Sequence, residues 1–265
     1  MNQNNLDYLK EGLKYMGFGT NFNEELEKHV QRQQPEFQLT MQKPYFDSTM
    51  DYTLHFRRSD QSDMYFFNKY EATLKPDTSA RETSQTFYVN KNSGITSREA
   101  YNLLNGRSVH KELVNAEGQH YKAWLQLDLG EKDLHGNHKV RQYHENYGFD
   151  LEKTLNQYNI KELQDPEQKE QMLRYLQKGN TLQVTALLEG QEVKRFIEAS
   201  PQYKTINVYD EHMKPVKRET IQQKQETSPA ASVKQEHAPK KSQQQDVVVE
   251  EKQEMKKSRR KGMSI

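Results

Sequence analysis

Thr96-Ser97-Arg98-Glu99-Ala100-Tyr101-Asn102-Leu103-Leu104-Asn105-Gly106 has the marks of a short helix with both ends specified. Thr96 followed three residues later by Glu99 is a capping box, and Gly106 is a stop. The spacing predicts a helix from Ser97 to Asn105, a strand from Arg107 to Val114, a turn at Glu117-Gly118-Gln119 and a strand from His120 to Leu129. The order returns further on. Asp165-Pro166 opens a helix, with Asp as cap and Pro at the first helical position. Gly179 stops it, a strand runs from Thr181 to Leu188, Glu189-Gly190-Gln191 turns, and a second strand runs from Glu192 to Ala199. Stop and turn lie 12 residues apart in one copy and 11 in the other. A helix–strand–strand unit used twice is the reading, with a looser third copy from Asn23 to Phe56.

One such unit cannot bury both faces of its hairpin. A single α+β body is therefore expected, made of antiparallel hairpins with short helices and repeated helix–strand–strand units. Upstream, Leu6, Leu9, Leu13 and Met16 form a helical stripe that Gly17-Phe18-Gly19 ends, and Asn21 or Asn23 caps a second helix closed by Pro35. Phe37, Leu39 and Met41 alternate, as do Tyr52, Leu54 and Phe56. Met64, Phe66, Tyr70, Ala72 and Leu74 are assigned to one face of a third strand. Tyr65 and Phe67 opposite suggest burial on both sides. Pro76 to Glu82 reads as a loop before a short strand from Thr86 to Asn90. The segments are 1–35 (helical), 36–95 (strand-rich), 96–212 (duplicated, packed with the preceding segments as one body) and 213–265 (disordered polar tail with a basic end). Residues 130–165 read as a polar connection with a short helix near Leu151–Tyr158.

Composition bounds the function. The 265 residues include no Cys, and only 32% are hydrophobic. Disulfide scaffolds, thiolate metal sites and thiolate nucleophiles are excluded. No run approaches the roughly 18 apolar residues of a spanning helix. No basic start followed by an apolar stretch marks a secretory leader, so a cytoplasmic protein without a membrane partner is expected. The net charge of +1 hides an asymmetry: residues 1–210 carry 26 Lys and Arg against 30 Asp and Glu, and residues 211–265 carry 13 against 8. All 26 aromatic residues lie at or before Tyr209. Without rings, the last 55 residues cannot offset a backbone ordering cost of about 1–2 kcal/mol per residue.

Three constellations could carry chemistry. His135, His138 and His144, with Asp133 and Glu145, are candidate metal ligands, although their spacing suits no helix face and Gly136-Asn137 signals a turn. Arg57 and Arg58 beside strand aromatics are candidate nucleic-acid contacts on a body whose net charge opposes a polyanion. Lys256, Lys257, Arg259, Arg260 and Lys261 crowd five positive charges into six residues of the tail, a patch that seeks polyanions. Gly17-Phe18-Gly19 follows a helix, not a strand, and lacks a Gly-Lys-Ser/Thr, so it is a helix stop rather than a phosphate loop. No Gly-x-Ser-x-Gly elbow occurs and no catalytic residue or cofactor is assigned.

Leu9-Lys10 through Gly17-Phe18-Gly19, Ser62-Asp63-Met64-Tyr65-Phe66-Phe67-Asn68, Glu99 through Arg107, and Ile206-Asn207-Val208-Tyr209-Asp210 resemble an uncharacterised family of domains of unknown function. That family is associated with conjugative transposons and other mobile elements of anaerobic gut bacteria. The resemblance spans roughly residues 5–212 and carries no catalytic residue with it. It implies a neighbourhood of DNA mobilisation. The expected function is a non-enzymatic interaction module that docks a protein encoded by the same element, its flexible tail reaching nucleic acid. The alternatives are a nucleic-acid-binding accessory protein and a metal-dependent enzyme.

Overall fold

The computed structural model describes residues 2–89 and 94–222. The basic end of the tail, Lys256 to Lys261, lies outside them. Helix α1 (Gln3–Tyr15) buries Leu6, Leu9 and Leu13, the stripe its spacing predicts. It ends where Phe18 N–H reaches back to Leu13 O at 3.0 Å, with Gly17 and Gly19 at φ of 81° and 77°. This Schellman-type stop drives Phe18 into the core, edge-on to Tyr52, Phe67 and Tyr70. Helix α2 (Asn23–Gln31) follows, but neither Asn21 nor Asn23 caps it. Phe22 holds the cap position with no side-chain bond, because burying its ring takes precedence.

Strands β1 (Glu36–Tyr45), β2 (Ser48–Arg58), β3 (Tyr65–Pro76) and β4 (Thr83–Tyr88) form a four-stranded antiparallel meander in sequence order. The reading of β3 needs correction. The ladder pairs His55 with Lys69 and then Phe56 with Phe67, so Asn68 is the extra residue of a β-bulge. One extra residue exchanges the faces of everything before it. Tyr65 and Phe67 therefore join Tyr70, Ala72 and Leu74 on the core side, and Met64 and Phe66 turn outward. The other face of this sheet is solvated and carries cross-strand pairs such as Lys75–Asp51 at 2.6 Å and His55–Glu71 at 3.1 Å. Asn5 of α1 secures the bulged end: its amide donates to Tyr65 O at 3.0 Å and accepts from Tyr65 N–H at 2.7 Å, as a neighbouring strand would.

The capping box at Thr96 and Glu99 forms as read, opening α3 (Ser97–Leu104). Strands β5 (Val109–Val114), β6 (His120–Lys132) and β7 (His138–His144) make a second meander. Residues 130–144 are thus not a polar connection; they complete the unit with a third strand. Helix α4 (Leu151–Leu155) lies within the expected helical segment. Helix α5 (Pro166–Gln177), capped by Asp165, leads to β8 (Leu182–Leu188), β9 (Gln191–Ser200) and β10 (Thr205–Tyr209), again three antiparallel strands. Both copies run helix, strand, strand, strand. Over residues 123–125, β6 is buried on both faces. Leu125 and Leu127 enter the core shared by α1, α2, α3 and the four-stranded sheet, while Trp124 enters the core of α4, α5 and the last sheet. The middle sheet thus separates two hydrophobic cores.

Candidate functional site

The sequence candidates are not brought together. Arg57 lies at the end of β2 between two carboxylates, 3.2 Å from Asp60 and 3.7 Å from Glu36. Arg58 is partly buried beside Tyr65. The hollow at this corner is lined by Pro35, Glu36, Arg57, Arg58 and the Ser59–Ser62 loop. Arg57 is already neutralised there, and the aromatics of β2 face the core. The exposed ring at this corner is Phe66, opposite Arg57 across the ladder.

The three histidines share a hairpin without converging. His135 is exposed in the β6–β7 turn, where its backbone N–H and that of Asn137 both donate to Asp133 at 2.9 Å. Those bonds hold the Asp133 carboxyl below its usual range, led by the one from Asn137. His138 and His144 stand at opposite ends of β7, roughly 20 Å apart at about 3.3 Å per residue. The ring of His138 is buried against Asp128 O at 3.2 Å, and the His138 backbone N–H donates to Gln85 Oε1 of β4 at 2.7 Å. That of His144 lies against Tyr121. Among the described residues no group of three His, Asp or Glu could hold a metal ion.

The polar constellation that does form was not anticipated. It lies where α3 meets the end of α5. Seven of the eight α3 residues are buried, including Asn102 and Glu99. Asn102 donates to Lys178 O at 2.6 Å and to Asn180 Oδ1 at 3.1 Å, and accepts from Arg107 at 2.9 Å. Arg107 also donates to Thr181 at 2.9 Å and sits 3.6 Å from Glu198. Glu198 accepts from Thr181 at 2.6 Å and from Tyr209 at 3.0 Å. Burial, then the charge of Glu198 and its bond, push the Tyr209 phenol up to about 12, which keeps it a donor. Tyr101 lies flat on Tyr45 with ring centres 3.7 Å apart. The Arg98 guanidinium is 5.2 and 5.3 Å from those two centres. Being equidistant, it lies beside the stack rather than over either face. The bonds from Asn102 to Lys178 and Asn180 and from Arg107 to Thr181 tie the first unit to the second, an internal weld, while Arg107 Nε is left buried without a partner among the described residues.

His110, absent from the sequence candidates, is the histidine whose protonation the fold opposes. Burial beside Trp124 lowers its pKa, Lys122 adds to the effect, and Glu145 acts against it. The unfolded chain binds that proton more readily. Stability from this group is complete above the unfolded value of about 6.5 and falls as pH drops through it toward the lower native value. Urea midpoints measured from pH 7.5 to 5.5 should decline in the wild type and decline less in His110→Gln.

Exposed apolar side chains occur at several separate places. Leu134, at the tip of the β6–β7 hairpin, is 103% exposed, and Leu129 and Val140 of the same hairpin are also exposed. Phe46, in the β1–β2 turn, is 104% exposed. Around Leu134 the hairpin carries the ion pairs Lys139–Glu131 and Arg141–Asp128. No helix among the described residues is long and apolar enough to cross a membrane. Fold and surface together define an α+β protein of helix-plus-meander units with exposed hairpin tips. Set against protein families, curated proteins and solved structures, the chain matches none.

Proposed function

We propose that this protein is a non-enzymatic interaction module of a mobile genetic element, and that its β6–β7 hairpin docks a protein encoded by the same element. The observation that carries the reading is Leu134, an aliphatic side chain fully in water at the end of a turn locked by Asp133. A side chain that touches nothing adds little to folding and is free to enter a partner's pocket, which supports the reading. The mobile-element context rests on the sequence resemblance alone. The tail residues Lys256, Lys257, Arg259, Arg260 and Lys261 supply the contact with nucleic acid, an affinity that falls steeply with salt.

Leu134→Ser should leave thermal stability within about 0.5 kcal/mol of wild type while removing the element-encoded partner from affinity captures made in the native host. Tyr8→Ser, a change at another exposed apolar position, on α1, should leave capture intact. Capture of the same protein by wild type and Leu134→Ser would sink the reading.

A further inference from the structure

The three sheets have six edges, and the chain treats them unequally. Edge β8 is covered: Leu187 N–H bonds Asn159 O at 2.9 Å, and the Glu162 carboxylate accepts Thr185 N–H at 2.9 and 3.0 Å. Edge β10 is covered by Val216, whose N–H meets Val208 O at 2.9 Å. Edge β4 is bridged by Asn137 and by the Gln85–His138 contact. Edges β5 and β7 carry charged residues, Lys111 and Glu112 on one and Lys139 and Arg141 on the other. Such devices prevent edge-to-edge pairing. Edge β1 has none over Phe37-Gln38-Leu39-Thr40-Met41-Gln42, six residues without charge or proline.

The register says which groups that edge offers. A two-residue turn closes β1 on β2 at Tyr45 and Ser48, so alternate pairs starting there exchange ladder bonds. Arg58 N–H to Pro35 O, 2.8 Å, continues the same series. The odd-numbered residues of β1 therefore bond inward. The N–H and C=O of Gln38, Thr40 and Gln42 point outward, and among the described residues nothing bonds them.

We propose that β1 pairs antiparallel with β1 of a second copy of this chain, on a dyad at Thr40, giving a continuous eight-stranded sheet. The strand is self-complementary in this register. Thr40 faces Thr40, Gln38 faces Gln42 in both directions, and Glu36 faces Pro44, so no like charges meet. A shift of one residue is forbidden because it would oppose inward and outward faces. The pairing also carries Phe46 past the end of the ladder, alongside the second copy's chain preceding β1.

Light scattering of the full chain tests this. The wild type should be a dimer. Thr40→Lys and Thr40→Glu each place like charges on the dyad, weaken self-association by roughly tenfold or more, and leave the melting temperature of the dissociated chain unchanged. Mixing the two variants in equal amounts should restore a dimer containing one of each. A wild type that is monomeric at all concentrations, a Thr40→Lys protein that dimerises as wild type does, or a mixture that fails to pair would overturn the proposal. None of these outcomes bears on the Leu134 hairpin, whose test reads a different protein.

Discussion

Arg107→Leu should destabilise the protein by about 3–5 kcal/mol, because it removes one partner of a buried ion pair and leaves the other behind. Both side chains are largely withdrawn from water, Arg107 at 15% exposure and Glu198 at 11%. Without Arg107, Asn102 Oδ1 loses its donor, and Glu198 keeps only the bonds from Thr181 and Tyr209. Glu198→Leu alone should also be costly. The double variant should recover part of the loss, since two apolar side chains strand no charge. The chain's single Trp, Trp124, is buried in the second core, and its fluorescence in urea reads the effect directly. Additive losses in the double variant would show that the two residues act separately.

Gly179→Ala should cost about 2–5 kcal/mol, more than a glycine at a helix end usually does. The residue has φ of 76°, which costs a side chain about 1–2 kcal/mol. A Cβ there would also lie 2.8 Å from Ser108 O, 3.0 Å from Val109 Cγ2 and 3.1 Å from the Asn102 Cβ. The nearest is a backbone oxygen that cannot rotate aside, and such overpacking adds about 1–3 kcal/mol. Gly190→Ala is the control. Its φ is 82° with nothing within 4 Å, so only the conformational part should appear. Equal urea midpoints for the two variants would mean that the close approach of α5 to the first unit carries no energy.

The α+β class and the order of elements were legible because they rest on local signals. Thr96 and Glu99 cap α3 whatever surrounds them, Asp165 and Pro166 do so for α5, and the Leu stripe of α1 needs only its own periodicity. Other readings failed where a side chain's face depends on a partner strand. The bulge at Asn68 exists only against β2, and it reversed the assignment of Met64 and Phe66. The string Glu-Gly-Gln misled for a related reason. In the second copy Glu189 and Gly190 alone make a two-residue turn. In the first, Asn115 accepts from Glu117 and Gln119 N–H and widens the loop to five residues. The true counterpart of that loop is Asp133–Asn137, in which Asp133 does the same for His135 and Asn137, so the two metal candidates it holds, Asp133 and His135, shape a turn.

The amino-acid sequence by itself determined where helices start and stop and which segments alternate, since caps, stops and periodicity act within a few residues of their cause. Tertiary structure alone decided that the middle of β6 would lie between two cores, that Asn102 and Arg107 would weld two units, and that β1 would be left with an open edge. Those outcomes depend on which segments meet across long sequence separations, where free energy resides in paired groups rather than in any one residue's preference.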